Sequence, residues 1–527
     1  MAKVKPLPPN STVAALASLP LNAEFELKFT TDAHGLRRVA SLKALEKYAF
    51  SRRQHIRATY YDTPDGALLQ QGISLRLRQS GRKRPVQTFK GPTQNQRSAF
   101  ERTEIEIPAG PDGFDLAGFD HDIRELIAKA THDLAIEEQY TTDFYRRTAI
   151  VLLDACEIEI AVDDGQFITN GQAHPLQEVE FELKSGEPAS AIDFAKSIAL
   201  AAGLQLEFTS KAERCALLAG MIVPEHRPVR ARHAGLSLDA CIHALLSDCL
   251  QHFIDHIRPF RDEHSPHSVH QMRVGLRRLR AALKMLGKAF PETSFRAFAD
   301  RARILAGGLG EARDCDAFQQ LAFGECLAHS SRPADSEYLK EGLETLRAKA
   351  YKSASMLVES PETLSFILDI LAYLARSGWL SEASEAHTVV LAAPAQNFAR
   401  AILDDLFKRA RKRGKDLLQR SDEERHEFRI ALKNLRYNAG CFTALFAAPK
   451  AAKSWLADLG ELQDLLGLHN DLANAQMMLE RITPLAKEPF PQAAGFVMGW
   501  HARQSDTADK SLEKAWKQLK AQKVFWL

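Results

Sequence analysis

Glu24-Phe-Glu-Leu-Lys28 and Glu178-Val-Glu-Phe-Glu-Leu-Lys184 share one pattern, acids alternating with large apolar residues until a lysine closes the run. Successive strand side chains point to opposite faces, so each stretch reads as a strand with one charged and one apolar face. Ile73-Ser-Leu-Arg-Leu-Arg78, Glu104-Ile-Glu-Ile107 and Glu157-Ile-Glu-Ile-Ala-Val162 repeat the alternation. The charges either face bulk water, as in many half-buried sheets, or line the bore of a sheet that closes on itself. Their sorting favours the bore, because glutamate pairs and arginine pairs are segregated onto different strands. Converging acids suit a hard divalent cation, and arginine forks suit phosphate oxygens. Helices at residues 116–131 and 189–202 are expected on the outer apolar surface.

Past the Pro- and Arg-containing stretch at residues 223–236, which reads as a linker, the apolar period becomes helical. The remainder, residues 237–520, is expected to be all-α and internally duplicated, with repeats at about 237–390 and 395–520. His270-Gln-Met-Arg273-Val-Gly-Leu-Arg277-Arg-Leu-Arg280 matches His426-Glu-Phe-Arg429-Ile-Ala-Leu-Lys433-Asn-Leu-Arg436 position for position. Leu309-Gly310-Glu-Ala-Arg313-Asp314 and Leu466-Gly467-Leu-His469-Asn470-Asp471 follow at nearly constant offset. A recurring pair of anchors marks a duplicated unit, with a helical bundle as its natural outcome. On a helical wheel His270, Arg273, Arg277 and Arg280 form one stripe, and His426, Arg429, Lys433 and Arg436 repeat it. Like charges at this spacing repel mildly, and a polyanion laid along them reverses the sign. The plain alternative for each stripe is a solvated face laced by neighbouring carboxylates.

At 527 residues and 45% hydrophobic content the chain is long enough for several cores. A net charge of +2 argues against a uniformly basic nucleic-acid binder, while 69 Lys and Arg leave material for local anion sites. Seven cysteines without a CxxC pair read as reduced, mostly buried thiols. The first residues lack a signal-peptide core and no stretch has the length of an apolar membrane span, so a cytoplasmic protein without membrane contact is expected.

The ordered set Glu24-x-Glu26-x-Lys28, Arg76-x-Arg78, Thr88-Phe-Lys90-Gly91, Arg102-x-Glu104-x-Glu106, Arg146-Arg147, Asp163, Glu180-x-Glu182-x-Lys184 and Ser210-Lys211-Ala-Glu213-Arg214 resembles the CYTH family, or triphosphate tunnel metalloenzymes. The resemblance covers about residues 20–222 and implies a closed antiparallel β-barrel with flanking helices. It implies Glu24, Glu26, Asp163, Glu180 and Glu182 as ligands of magnesium or manganese, with Glu104 and Glu106 on the tunnel wall. It implies Lys28, Arg76, Arg78, Lys90, Arg102, Arg146 and Lys211 around the triphosphate. Lys28 or Lys90 is left as the group that orients or deprotonates water, a role that needs burial and nearby positive charge. Arg147 competes with Arg146 for the inward position, Glu178 shares the face of Glu180, and Cys215 stands where the family commonly has glycine.

The two stripes make residues 237–520 resemble the CHAD family, named for histidines in an α-helical fold. That resemblance implies polyphosphate binding by His270, Arg273, Arg277, Arg280, His426, Arg429, Lys433 and Arg436. The combined expectation is metal-dependent hydrolysis of inorganic triphosphate to diphosphate and phosphate, with polyphosphate held by the helical half, in the cytoplasm or at polyphosphate granules. An organic triphosphate such as thiamine triphosphate, cyclisation of ATP, and a non-catalytic polyphosphate-binding protein are the alternatives.

Overall fold

The computed structural model describes residues 5–7, 25–92, 102–110, 113–221, 235–327 and 333–527. Glu24 and most of the expected linker lie outside them, as does the side chain of Arg102. The chain forms two compact units, residues 1–229 with 364–376 and residues 230–363 with 377–527.

The first unit is built on ten strands: β1 (Lys5–Leu7), β2 (Phe25–Thr30), β3 (Gln54–Asp62), β4 (Ser74–Ser80), β5 (Val86–Pro92), β6 (Arg102–Pro108), β7 (Glu137–Leu153), β8 (Cys156–Thr169), β9 (Gln172–Gly186) and β10 (Gln205–Glu207). Every pairing is antiparallel, in the order β1-β6-β5-β4-β3-β7-β8-β9-β2-β10. Among the described residues the closed barrel expected from the sequence does not form. Closure would need β2 to pair with β6, but three-residue strands occupy their outer edges, β10 on β2 and β1 on β6. Among the described residues no ladder joins β1 to β10. The sheet is nonetheless rolled, because the charge of Lys28 on β2 reaches Lys90 on β5, six strands away in the order. Gly165 permits one tight approach in this curved sheet, since a Cβ there would stand 2.3 Å from the Asp143 carbonyl oxygen and 2.4 Å from Phe144 Cα.

The apolar strand face behaves as the alternation requires. Phe25, Leu27, Phe29, Val179 and Phe181 are buried, and helices α1 (Ala33–Ala40) and α3 (Pro188–Ala202) cover this region, the latter with Ile192, Ala195 and Ile198. Phe181 makes edge contacts with Phe29 and Phe194 at 5.6 and 6.3 Å between ring centroids. Helix α2 (His121–Thr131) packs Ile123 and Ile127 against Leu75 and Phe89 farther round the sheet. A helical stretch at residues 364–376 also belongs to this unit, where Lys196 donates to Asp369 over 2.6 Å.

The inner face holds a feature that alternation alone did not disclose. Its charged rows give way to an apolar floor of Ala58, Tyr60, Tyr140, Phe144, Phe167 and Leu176, covered by Cys215 and Ala216 of helix α4 (Lys211–Leu218). Cys215 is fully buried here, and burial pushes its thiol up to about 12. All seven cysteines are buried and free.

The second unit is helical. Its first motif lies on α5 (Pro266–Ala289), followed by α6 (Phe295–Gly308) and α7 (Gly310–Leu321). The second lies on α8 (Asp422–Phe442), followed by α9 (Pro449–Leu465), α10 (Leu468–Ile482) and the long α11 (Pro491–Ala521). The duplication extends to the caps: Ser265 accepts from Ser268 N–H and Ser421 from Glu424 N–H, each serine five residues before the motif histidine. Gly275 lets α5 cross closely over the helix at Leu238–Ile254, because a Cβ would meet Phe253 N at 2.7 Å. Met272, Leu276, Leu279 and Leu283 form the buried side of α5. Helices α5 and α8 pack against each other.

Candidate functional site

Antiparallel register aligns the inner charges in rows. Arg146 on β7 stands opposite Asp163 on β8, which stands opposite Glu178 on β9. In adjacent rows Lys28 lies opposite Glu180, and Glu26 opposite Glu182. Oxygens of Asp163, Glu178 and Glu180 all lie within 4.8 Å of one another, in a buried group able to hold a metal ion. An all-carboxylate donor set at this spacing suits a hard divalent cation.

Cations ring the group. Arg146 donates to both Asp163 oxygens over 2.7 and 2.6 Å and also to Glu180. Lys211 Nζ is 2.9 Å from Asp163 Oδ2, donates to Glu180 over 2.6 Å and also pairs with Glu178. Arg214 donates to Glu178 over 2.6 Å. Burial pushes the Glu178 carboxyl up to about 7 against the pull of Lys211. Burial acts upward on Glu180 too, but Lys211 and Arg146 outweigh it and hold that carboxyl well below the usual range. Burial and the charge of Glu180 raise Glu26.

Of the expected metal ligands, the structure therefore brings together Asp163 and Glu180, with Glu26 within electrostatic reach. Glu182 is tied instead to Lys184 over 2.7 Å. The sequence reading left Glu178 outside the ligand set and missed Arg214. The parity of Glu178 with Glu180 was the available signal for the first, and the capping box of α4, Ser210 with Glu213, was the one for the second. Arg147 turns outward, with its Nε donating to Ser51 O over 3.3 Å, which leaves the inward position to Arg146.

The expected triphosphate ligands divide into two sets. Arg146 and Lys211 sit among the carboxylates, whereas Arg76, Arg78 and Lys90 stand on the β4–β5 wall. There Arg76 pairs with Glu104 and Glu106 at 3.4 Å each, Arg78 with Glu106 at 3.0 Å, and Lys90 with Glu104 at 3.1 Å. Three cations over two acids leave this wall positive. Burial and the charge of Arg76 push both Arg78 and Lys90 down. Burial also acts downward on Lys28, but Glu26, Glu180 and Glu178 outweigh it and raise that ammonium. The two lysines left equivalent by the sequence thus differ, and Lys90 is the one disposed to lose its proton.

In the helical unit the two stripes converge. Burial and the charges of Arg273, Arg436 and Arg429 lower Arg277, whose guanidinium lies 5.1 Å from the Tyr437 ring centroid. Burial, Arg429 and Arg277 lower Lys433. Burial and Arg313 lower His270. Arg273 donates to Ala306 O over 2.8 Å, and its Nη1 lies 2.9 Å from where a Cβ at Gly310 would stand, beside the first Leu-Gly anchor. The Arg429 Nε is buried and unpaired among the described residues. Arg436 donates to Gln463 over 3.1 Å, His426 is exposed near the start of α8, and Arg280 lies farther along α5.

Residues 22–216 match the CYTH domain model and residues 244–480 match the CHAD domain model. The chain is a CYTH domain followed by a CHAD domain. A curated relative, an inorganic triphosphatase of Haemophilus influenzae, is 30% identical over 164 residues, 30% of this chain and 45% of that protein. The chain thus spans about half the length of that relative. Among solved structures, the CHAD domain from the plant Ricinus communis is 28% identical with a TM-score of 0.46, covering 56% of this chain and 98% of that one. A putative adenylyl cyclase from Hippeastrum, described as having a dominant triphosphatase activity, is 14% identical with a TM-score of 0.26, covering 39% of this chain and 99% of that one. No helix among the described residues is long and apolar enough to cross a membrane.

Proposed function

We propose that the CYTH unit hydrolyses inorganic triphosphate to diphosphate and phosphate with magnesium or manganese, and that the CHAD unit binds polyphosphate. The observation that carries the reading is the pairing of a buried carboxylate group, Asp163, Glu178 and Glu180, with a net-positive wall of Arg76, Arg78 and Lys90 in one rolled sheet. Likeness to the Haemophilus triphosphatase supports the substrate.

Phosphoryl transfer needs positioning and charge stabilisation more than covalent chemistry. Asp163, Glu178 and Glu180, with Glu26 beside them, would hold the divalent ion, which when bound offsets charge on the phosphoryl oxygens. Arg76 and Arg78 exchange their glutamate partners for triphosphate oxygens and orient the chain by forked hydrogen bonds. Lys90, lowered by burial and Arg76, accepts the proton of the attacking water as the water oxygen bonds to the terminal phosphorus and the bridging P–O bond breaks, diphosphate leaving with that electron pair. Glu104 draws Lys90 into place beforehand. In the helical unit the merged stripes form an anion surface for longer chains. Cytoplasmic residence, with attachment to polyphosphate granules, fits these substrates.

The reading is tested by supplying inorganic triphosphate, ATP and thiamine triphosphate to wild type and to a Glu24→Ala/Glu26→Ala double variant. Preferential phosphate release from inorganic triphosphate, lost in the variant, is expected. Preference for either organic substrate would replace the substrate assignment.

A further inference from the structure

The acidic group already contains a cation, and it belongs to the protein. Lys211 Nζ lies 2.9 Å from Asp163 Oδ2, 2.6 Å from Glu180 Oε1, and is also bonded to Glu178 Oε1. An ammonium has three N–H donors, and here three carboxylates supply the three acceptors. The outward oxygens are taken as well, by Arg146 on Asp163 and Glu180 and by Arg214 on Glu178. Three carboxylates and three cations balance within a site where Asp163 and Glu178 are completely buried.

A divalent ion cannot simply join this cluster. Its charge would stand within a few ångströms of the ammonium in a poorly screened interior, where like charges repel by several kcal/mol even at an effective dielectric of ~20. The three carboxylates that would coordinate it are the three that the ammonium bridges. One of the two cations has to leave.

Geometry identifies the one that can move. Lys211 is the first residue of α4, and its backbone is fixed by a reciprocal capping box: Ser210 Oγ accepts from Glu213 N–H at 3.2 Å, and Glu213 accepts from Ser210 N–H at 2.9 Å. The flexible stem beyond Cα can swing without disturbing the helix. The arginines are more constrained, Arg146 by its two-point grip on Asp163 and Arg214 by a planar guanidinium 4.8 Å from the Phe167 centroid, closer than the 5.6 Å between Lys211 Nζ and the Phe144 centroid.

We propose that Lys211 is the resident cation of the metal-free carboxylate group, that the divalent ion displaces it, and that the freed ammonium then takes a triphosphate oxygen. Lys211 is thereby a coupling residue. Without triphosphate the metal expels an ammonium from its partners, so metal binds weakly. With triphosphate present the ammonium gains a new partner, so metal and substrate favour each other's binding. This inference rests on the proposed metal role of Asp163, Glu178 and Glu180.

The test is Mn2+ binding to the full chain in the absence of triphosphate, followed by the paramagnetic signal of free Mn2+, together with thermal unfolding with and without Mn2+. Lys211→Met removes the competitor, so its Mn2+ affinity should rise on the order of tenfold. Its metal-free form should melt earlier than wild type, and its Mn2+-induced gain in Tm should be larger. Lys211→Arg retains a cation and should show no such rise in affinity, which guards against a Lys211→Met chain that fails to fold without metal. Unchanged or weakened Mn2+ binding in Lys211→Met, with wild type binding normally, would overturn the displacement. Absence of Mn2+ binding by both wild type and Lys211→Met would instead overturn the metal role beneath it.

Discussion

Arg146 grips Asp163 from the neighbouring strand with two hydrogen bonds, 2.7 Å from Nε and 2.6 Å from Nη2, in direct cross-strand register. Asp163 has no solvent exposure, so its charge depends on that fork and on Lys211. Removing one partner of a buried pair leaves an uncompensated charge, at a cost of about 3–5 kcal/mol. Arg146→Ala should lower the denaturant midpoint accordingly. Arg146→Lys should recover only part of the loss, because lysine cannot make the planar two-point contact.

Glu178 sets a pH dependence. Its carboxyl is raised from the ordinary 4.5 to about 7, chiefly by burial, so between those values the folded state binds the extra proton. Its stabilising contribution to the metal-free fold is complete below about 4.5 and is lost as pH rises through about 7. Urea unfolding of the metal-free protein from pH 5 to 8 should show wild type losing stability relative to Glu178→Gln, which stays neutral throughout. Metal binding needs the ionised form, so Mn2+ affinity in wild type should climb across the same interval.

Lys90 gives a kinetic prediction. Its ammonium is lowered by burial and by Arg76, so the rate should rise with pH and level off below the ordinary lysine range. Lys90→Arg keeps the charge but cannot act as a base, and should lose about 10²-fold in kcat together with that limb. Lys28→Arg should retain the limb, because Glu26, Glu180 and Glu178 keep the Lys28 ammonium charged.

The merged stripes predict a separable binding defect. Arg277→Ala with Arg436→Ala removes two cations whose fields meet at the α5–α8 contact. Polyphosphate affinity should fall and its log-log dependence on salt should flatten by roughly one unit per lost phosphate contact. Turnover of triphosphate by the CYTH unit should be unchanged. A calorimetric titration at two salt concentrations measures both effects.

Much of this arrangement was legible in the chain because strand parity and helical spacing are local rules. Glu178, Glu180 and Glu182 alternate with Val179 and Phe181, and the structure keeps that division of faces. The stripes on α5 and α8 were readable for the same reason. Closure of the sheet was not, because it depends on which strands occupy the outer edges of β2 and β6. Two three-residue strands settle that, and neither carries an alternation long enough to read. The apolar floor beneath α4 was hidden for a related reason, since Tyr140 and Phe144 of β7 meet Phe167 of β8 only after the two strands pair. The different environments of Lys28 and Lys90 also required the fold, because Glu180 and Glu178 reach Lys28 from β9 and Arg76 reaches Lys90 from β4.

The central claim, a carboxylate-held metal serving triphosphate hydrolysis, is tested most directly by phosphate release from inorganic triphosphate with added Mg2+ or Mn2+, in wild type and Asp163→Asn/Glu180→Gln. Wild type is expected to release one phosphate and one diphosphate per triphosphate, with release abolished by EDTA, restored by metal and reduced by at least about 10²-fold in the variant. Release that persists in EDTA, or that the double variant leaves intact, would contradict it.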